Sequence, residues 1–225
     1  VQALIVTPTR ELAIQVAEEI SRIGKYRRVR TVPIYGGQPI DRQIRSLRQG
    51  VHVVIGTPGR LLDHLNRKTL RLDNVKIVVL DEADEMLDMG FVEDIESILL
   101  AVPQTRQTLL FSATMPEEIK RLSRKYLKDP EYITVSKHNL TVPLIEQVYY
   151  ETREHTKLES LCRILDSISV TLSIIFCRTK RGVDELVAGL QARGYPAAAL
   201  HGDLSQYQRN HVMRQFKTGQ IDYLV

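Results

Sequence analysis

The chain has 225 residues, 43% of them hydrophobic, with 31 Lys+Arg against 27 Asp+Glu for a formal net charge of +4. That length and apolar content suit one large or two small domains with real cores and exclude a disordered chain. The charge permits an anionic partner without requiring one, and no segment approaches the roughly 20 apolar residues of a membrane span.

In chain order, short apolar runs alternate with helical periodicity. Ala3 to Val6 reads as a strand, and Leu12, Val16, Ile20 and Ile23 follow at helical spacing. Thr31 to Tyr35, Val51 to Ile55, Ile77 to Leu80, Thr108 to Phe111 and Tyr132 to Val135 are further expected strands, with helical stretches such as Phe91, Ile95, Ile98 and Leu99 between them. This order predicts βαβ units around a parallel sheet, with helices on both faces because the strands are apolar throughout. The polar stretch Ser136 to Thr141 has no apolar period and reads as a linker.

A second series follows: a strand near Ile145 to Tyr150, a helix with Leu158, Leu161, Cys162, Leu165 and Ile168, and a strand from Ser173 to Cys177. A helix with Val183, Leu186, Val187 and Leu190 comes next, then strands Ala197 to Leu200 and Asp222 to Val225 around a helix after Gln206. Two α/β halves predict a cleft between them, where ligands commonly bind. Two cysteines, Cys162 and Cys177, predict buried reduced thiols over a disulfide framework, which favours the cytosol. Val1 is not an initiator methionine and the chain stops within a strand-like run, so both ends are expected to be cut.

The chemistry concentrates after the strands. Asp81-Glu82-Ala83-Asp84 follows Ile77 to Leu80 and delivers neighbouring carboxylates to a strand tip, where they suit a Mg²⁺-nucleotide site; an acidic first helical turn explains the tetrapeptide equally well. Thr7-Pro8-Thr9-Arg10 precedes a helix expected near Glu11, so free N–H groups and Arg10 can meet a phosphate together. Thr57-Pro58-Gly59-Arg60 repeats the device, with Thr57 as N-cap and Pro58 at the first helical position. Gly36-Gly37 lets backbone pass close to a bound chain. Each alone is more often turn chemistry; together they suggest a phosphate track. Ser112-Ala113-Thr114 sets two hydroxyls within reach of the acidic cluster, or caps a helix at Thr114.

Several other features have plain structural readings. His201-Gly202-Asp203 reads as a strand-to-turn junction before a metal pair, Lys25 to Arg30 as a solvated face, and Tyr149 and Tyr150 as strand packing.

Taken in order, PTRELA (Pro8 to Ala13), GG (Gly36, Gly37), TPGR (Thr57 to Arg60), DEAD (Asp81 to Asp84) and SAT (Ser112 to Thr114) resemble the motifs of DEAD-box RNA helicases of superfamily 2. IIFCRTKR (Ile174 to Arg181) and HGDLSQ-x-QR (His201 to Arg209) extend the resemblance over essentially the whole chain, and their wording looks bacterial. The resemblance implies two RecA-like parallel-sheet domains, each a three-layer αβα unit incomplete at one end: residues 1–135, a linker at 136–142, and residues 143–225. It implies ATP and Mg²⁺ as cofactors, with Asp81 binding Mg²⁺ through water and Glu82 as catalytic base. Asp84 then couples nucleotide state to Ser112 and Thr114.

Pro8, Thr9, Arg10, Gly36, Gly37, Thr57, Pro58, Gly59 and Arg60 match positions that grip the RNA sugar-phosphate backbone, and Arg178, Thr179, Asp203, Gln206 and Arg209 match the second-domain motifs. Backbone gripping carries no base information, so RNA recognition is expected to be sequence-independent. The implied setting is the cytoplasm, with ribosomal or RNA-decay proteins as candidate partners.

The 225 residues contain no G-x-x-x-x-G-K-[ST], and the C-terminal motifs carrying the family's γ-phosphate arginines are also missing. The chain alone is therefore not expected to turn over ATP efficiently. Two rival readings stand beside the helicase: a non-enzymatic RNA-binding module beginning at Val1, and a DNA-directed translocase of the same superfamily.

Overall fold

The structure, a computed structural model, describes residues 1–134, 145–168 and 171–225. The chain divides into two compact units, Val1–Lys137 and His138–Val225. The expected linker at 136–142 and the expected strand end at Val135 lie outside the described residues.

In the first unit, β1 (Ala3–Val6), β2 (Thr31–Ile34), β3 (Val53–Gly56), β4 (Ile77–Leu80) and β5 (Gln107–Leu110) form one parallel sheet in the order β2-β3-β1-β4-β5. The register keeps their ends level: Val6 lies opposite both Gly56 and Leu80, Ile34 opposite Gly56, and Leu80 opposite Leu110. Every C-terminal tip therefore opens on the same edge, where ligands bind in open α/β sheets.

The helices are α1 (Arg10–Ile23), α2 (Ile40–Arg48), α3 (Pro58–Asn66), α4 (Ala83–Asp88), α5 (Val92–Leu100) and α6 (Glu117–Tyr126). Because side chains alternate along a strand, Leu4 and Val6 pack on one face with Leu61, Ile95, Ile98 and Ile119, while Ile5 packs on the other with Ala13 and Ala17 of α1. Both faces are covered, which is why the central strands β1, β3 and β4 carry no polar side chains to alternate with, whereas the edge strands β2 and β5 carry Thr31, Gln107 and Thr108. Leu80 is fully buried directly before the acidic tip, and Leu80→Ala costs about 2–5 kcal/mol through the cavity it leaves.

In the second unit, β6 (Ser173–Ile174), β7 (Ala197–Ala198) and β8 (Tyr223–Leu224) pair in parallel in the order β6-β8-β7, with α7 (Lys157–Ser167), α8 (Lys180–Gln191) and α9 (Gln206–Lys217). Its core gathers Cys162, Leu165, Val183, Val187, Leu190 and Tyr223. The strands are shorter than expected, although the Ile175 N–H still donates to the Leu224 carbonyl at 2.8 Å past the end of β6. Cys177 is only partly buried, unlike Cys162.

Two expected strands do not form among the described residues. Residues 132–134 are exposed and non-strand, and so are 145–150, with Tyr149 85% exposed where packing was expected. β-Branched and aromatic content supplies propensity, but a strand exists only where a neighbour's backbone accepts its ladder. The strands of each described sheet pair only with one another.

Candidate active site at the strand tips

The strand order sorts the five tips into two groups. β2, β3 and β1 carry Gly36-Gly37, Thr57 to Arg60 and Pro8 to Arg10; β4 and β5 carry Asp81 to Asp84 and Ser112 to Thr114.

On the acidic side the ladder bonds continue past the strand ends. The Asp81 N–H donates to the Val6 carbonyl at 3.0 Å and the Ala83 N–H to the Phe111 carbonyl at 3.0 Å, fixing the turn between β4 and α4. Glu82 stands in that turn with φ 51° and ψ 54°, a left-handed conformation unusual for a side chain with a Cβ. Its carboxyl is raised above the ordinary range by burial first, and then by the charges of Asp81, Glu85 and Asp84. The Asp81 Oδ1 accepts the Glu82 N–H at 3.1 Å.

Asp84 is buried and turned to β5. Its Oδ2 accepts both the N–H and the hydroxyl of Thr114, each at 2.8 Å, while its own N–H donates to Ser112 Oγ at 3.2 Å. Ser112 in turn donates to the Thr114 carbonyl at 2.6 Å. Burial alone raises the Asp84 carboxyl, but the hydrogen bonds from Thr114 and Ser112 outweigh it and hold the group below its ordinary value. Thr114 does not cap the following helix; Pro116 holds the N-cap position of α6, and the Thr114 hydroxyl is taken by Asp84.

On the other side Thr9 caps α1, its side chain accepting the Leu12 N–H at 3.2 Å, so the helix starts at Arg10, one residue before the expected Glu11. Arg10 reaches across to the β2 tip. A Cβ built on Gly37 would lie 2.3 Å from Arg10 Nη1 and one on Gly36 3.4 Å from Nη2, and Gly37 has φ +80°. The two glycines thus make room for an arginine from the neighbouring motif as well as for backbone curvature. Thr57 occupies the N-cap position of α3, but its side chain makes no capping bond, contrary to expectation; Pro58 is at N1. The first-turn N–H groups of α3 have no intrahelical acceptor, and Gly59 opens onto free space. Arg60 turns back toward β2, donating from Nη1 to the Gln38 carbonyl at 3.1 Å and to Gln43 Oε1 at 3.3 Å.

Sequence reasoning missed the layer beneath this track. Gln43 and His64 are buried at 3% and 0% exposure, and they link α2 to α3 through a 3.0 Å contact. The readable signal was a polar residue inside an apolar stripe: Gln43 shares helical spacing with Ile40, Ile44 and Leu47, and His64 with Leu61 and Leu65.

In the second unit, Thr179 caps α8 by accepting the Gly182 N–H at 3.0 Å, with exposed Arg178 just before it. The Asp203 carboxylate pairs with Lys180 and His201 Nε2 contacts Asp184 Oδ1 at 3.1 Å, while the Asp203 N–H donates to His201 Nδ1 at 3.4 Å, a turn contact and not a metal pair. Gln206 and Arg209 lie in the first turn of α9, which Ser205 and Gln208 close with a capping box. The first-unit residues converge along one sheet edge, and the second-unit residues gather at the starts of α8 and α9.

Residues 1–122 match the family model described as DEAD/DEAH box helicase, and residues 156–225 match the one described as helicase conserved C-terminal domain. The chain belongs to the DEAD/DEAH box helicase family. It is 57% identical over all 225 residues to the DEAD-box ATP-dependent RNA helicase CshA of Bacillus cereus, covering 43% of that protein. It is 58% identical to CshA of Geobacillus kaustophilus, covering 48% of it. The chain thus spans less than half the length of these relatives. Among solved structures, a DEAD box protein from the hyperthermophile Methanococcus jannaschii is 48% identical with a TM-score of 0.59, the match covering all of this chain and 60% of that one. S. cerevisiae Dbp5, solved bound to Gle1 and IP6, is 30% identical with a TM-score of 0.74, the match covering 99% of this chain and 55% of the yeast chain.

Proposed function

We propose that the whole protein is an ATP-dependent RNA helicase that unwinds or remodels RNA duplexes by coupling ATP hydrolysis to domain closure on the RNA backbone. The observation that carries this reading is the sorting of the sheet edge into a carboxylate group on β4 and β5 beside a glycine-arginine group on β2, β3 and β1. The first group suits nucleotide chemistry and the second suits backbone phosphates. Residues 1–135 act as the ATP-binding domain and 143–225 as the helicase C-terminal domain, joined by a linker at 136–142. The setting is the cytoplasm; among the described residues no helix is long and apolar enough to cross a membrane.

The donor set fits Mg²⁺. Mg²⁺ typically keeps waters and takes one or two carboxylates plus substrate phosphates, and Asp81 and Glu82 bring neighbouring carboxylates to the β4 tip. Asp81 would hold the ion, which when bound would neutralise charge on the phosphates. Glu82 takes the proton of the attacking water, its raised pKa bringing it nearer the working range of a general base. Asp84, held by Thr114 and Ser112, transmits the state of the β4 tip to β5. Pro8 to Arg10, Gly36, Gly37 and Thr57 to Arg60 grip the sugar-phosphate backbone together with Arg178, Thr179, Asp203, Gln206 and Arg209. Such contacts carry no base information.

Phosphate release by the whole protein tests this reading. RNAs of unrelated sequence should stimulate it and DNA of the same sequences should not. Equal stimulation by DNA, or none by either, contradicts it. The 225 residues alone, which contain no P-loop motif, should release no more phosphate with RNA than their Glu82→Gln variant.

A further inference from the structure

We infer that His64 and Gln43 are positioning residues for the RNA-backbone grip: a buried relay that holds Arg60 and the Gly36-Gly37 turn as one unit. This rests on the reading of Arg60 as a backbone contact. The relay starts at Gln43, the one buried residue of α2, whose Nε2 donates to the Tyr35 carbonyl at 2.9 Å. Its Oε1 accepts from Arg60 Nη1 at 3.3 Å and contacts His64 Nε2 at 3.0 Å. The orientation of this amide is fixed by its neighbours. A carbonyl can only accept and a guanidinium can only donate, so Nε2 must face Tyr35 and Oε1 must face Arg60.

The histidine tautomer follows. An oxygen that already accepts from Arg60 offers only acceptance to the ring, so His64 carries its proton on Nε2 and donates to Gln43. Nδ1 is then an acceptor; the Thr69 hydroxyl lies 2.8 Å from it and 3.1 Å from the His64 carbonyl, so its single hydrogen is shared between two acceptors on the same residue. Burial first, and the neighbouring Arg60 charge second, push the imidazole pKa down, in keeping with a neutral ring.

The consequence lies at the β2 tip. Gln43 fastens the Tyr35 carbonyl just before Gly36-Gly37, and Arg60 fastens the Gln38 carbonyl just after it. The turn is pinned on both sides by groups that meet at one amide oxygen. Arg60 itself is held along its Nη1 edge with its side chain only 17% exposed, and Asp63 lies 3.8 Å from Nε. A guanidinium fixed in this way presents its remaining Nη2 edge in one direction, which is the preorganisation a phosphate contact needs. Without His64, the Gln43 oxygen keeps one partner, and the amide is free to turn away from Arg60.

The test uses two amides that mimic different ring nitrogens. In His64→Gln the amide nitrogen falls near the former Nε2 and can still donate to Gln43; in His64→Asn it falls near Nδ1 and cannot. Binding of unrelated single-stranded RNAs to the whole protein with a non-hydrolysable ATP analogue should weaken on the order of two- to tenfold in His64→Asn. It should stay within about twofold of wild type in His64→Gln. His64→Asn should add nothing to Arg60→Ala, because both act through the same guanidinium. Gln43→Met should behave as His64→Asn does and carries the test if the latter fails to fold. Equal weakening in the Gln and Asn variants, or effects that add to Arg60→Ala, overturns the relay. If Arg60→Ala leaves RNA binding unchanged, the RNA reading of Arg60 fails on its own, and the Arg60 Nε–Hε resonance of the RNA-free protein decides. A resonance shifted or broadened in His64→Asn and restored in His64→Gln supports the relay; one unmoved in both overturns it.

Discussion

Thr114 gives both of its polar hydrogens to one oxygen of Asp84, N–H and O–H each at 2.8 Å, and so ties the tip of β5 to the acidic turn after β4. Ser112 closes the loop, accepting from the Asp84 N–H and donating to the Thr114 carbonyl. The two strand tips are thus joined through one buried carboxylate.

This tie predicts uncoupling. Ser112→Ala with Thr114→Ala in the whole protein should reduce duplex unwinding more than RNA-stimulated phosphate release, since neither hydroxyl touches Glu82. Measured side by side on one RNA duplex, a proportional fall in both rates rules out the coupling role.

Arg10 and Arg60 stand at the first turns of α1 and α3, where their charge adds to the positive end of the helix dipole. Arg10→Ala and Arg60→Ala should each weaken single-stranded RNA binding similarly across unrelated sequences. Each should lower the log–log salt slope by about 0.7 for every phosphate it ceases to neutralise. A titration series at several salt concentrations reads both; an unchanged slope with the fold intact means these arginines serve the protein surface alone.

Gly37 predicts a double penalty. With φ +80° and Arg10 Nη1 only 2.3 Å from where a Cβ would sit, Gly37→Val strains the backbone by about 1–3 kcal/mol and displaces the arginine. Chemical denaturation should show the drop in stability, and RNA binding should fall toward that of Arg10→Ala. Full affinity in a destabilised variant would separate the turn from the grip.

His64 makes the first unit sensitive to acid. Its folded pKa lies below the ordinary 6.5, so at pH values under 6.5 the unfolded chain binds more protons than the folded one. The stability from the neutral ring is complete above that value and declines as pH falls below it. His64→Gln should flatten this part of the stability–pH curve; an identical slope in both proteins would show that other groups set it.

Much of this was readable from the chain. β1 and β4 match their expected bounds because apolar runs buried on both faces leave little choice of register. The motif residues of the first unit also fall together, since a parallel sheet brings every strand tip to one edge. What could not be read depends on partners far away in sequence. Ile145 to Tyr150 reads as a strand but pairs with no strand among the described residues, and Thr114 looks like a cap until Asp84, thirty residues earlier, takes its hydroxyl. Gln43 and His64 are ordinary helix residues until folding sets one amide oxygen between a histidine and an arginine.

The central claim is that Glu82 is a proton acceptor at a nucleotide site and not a helix-start carboxylate. Glu82→Gln in the whole protein keeps the shape and removes the basicity, so the direct measurement is RNA-stimulated phosphate release alongside ATP and RNA affinities for the same preparation. Hydrolysis should nearly vanish while both affinities stay close to wild type. Hydrolysis that persists, or affinities that fall as far as the rate, would contradict the account.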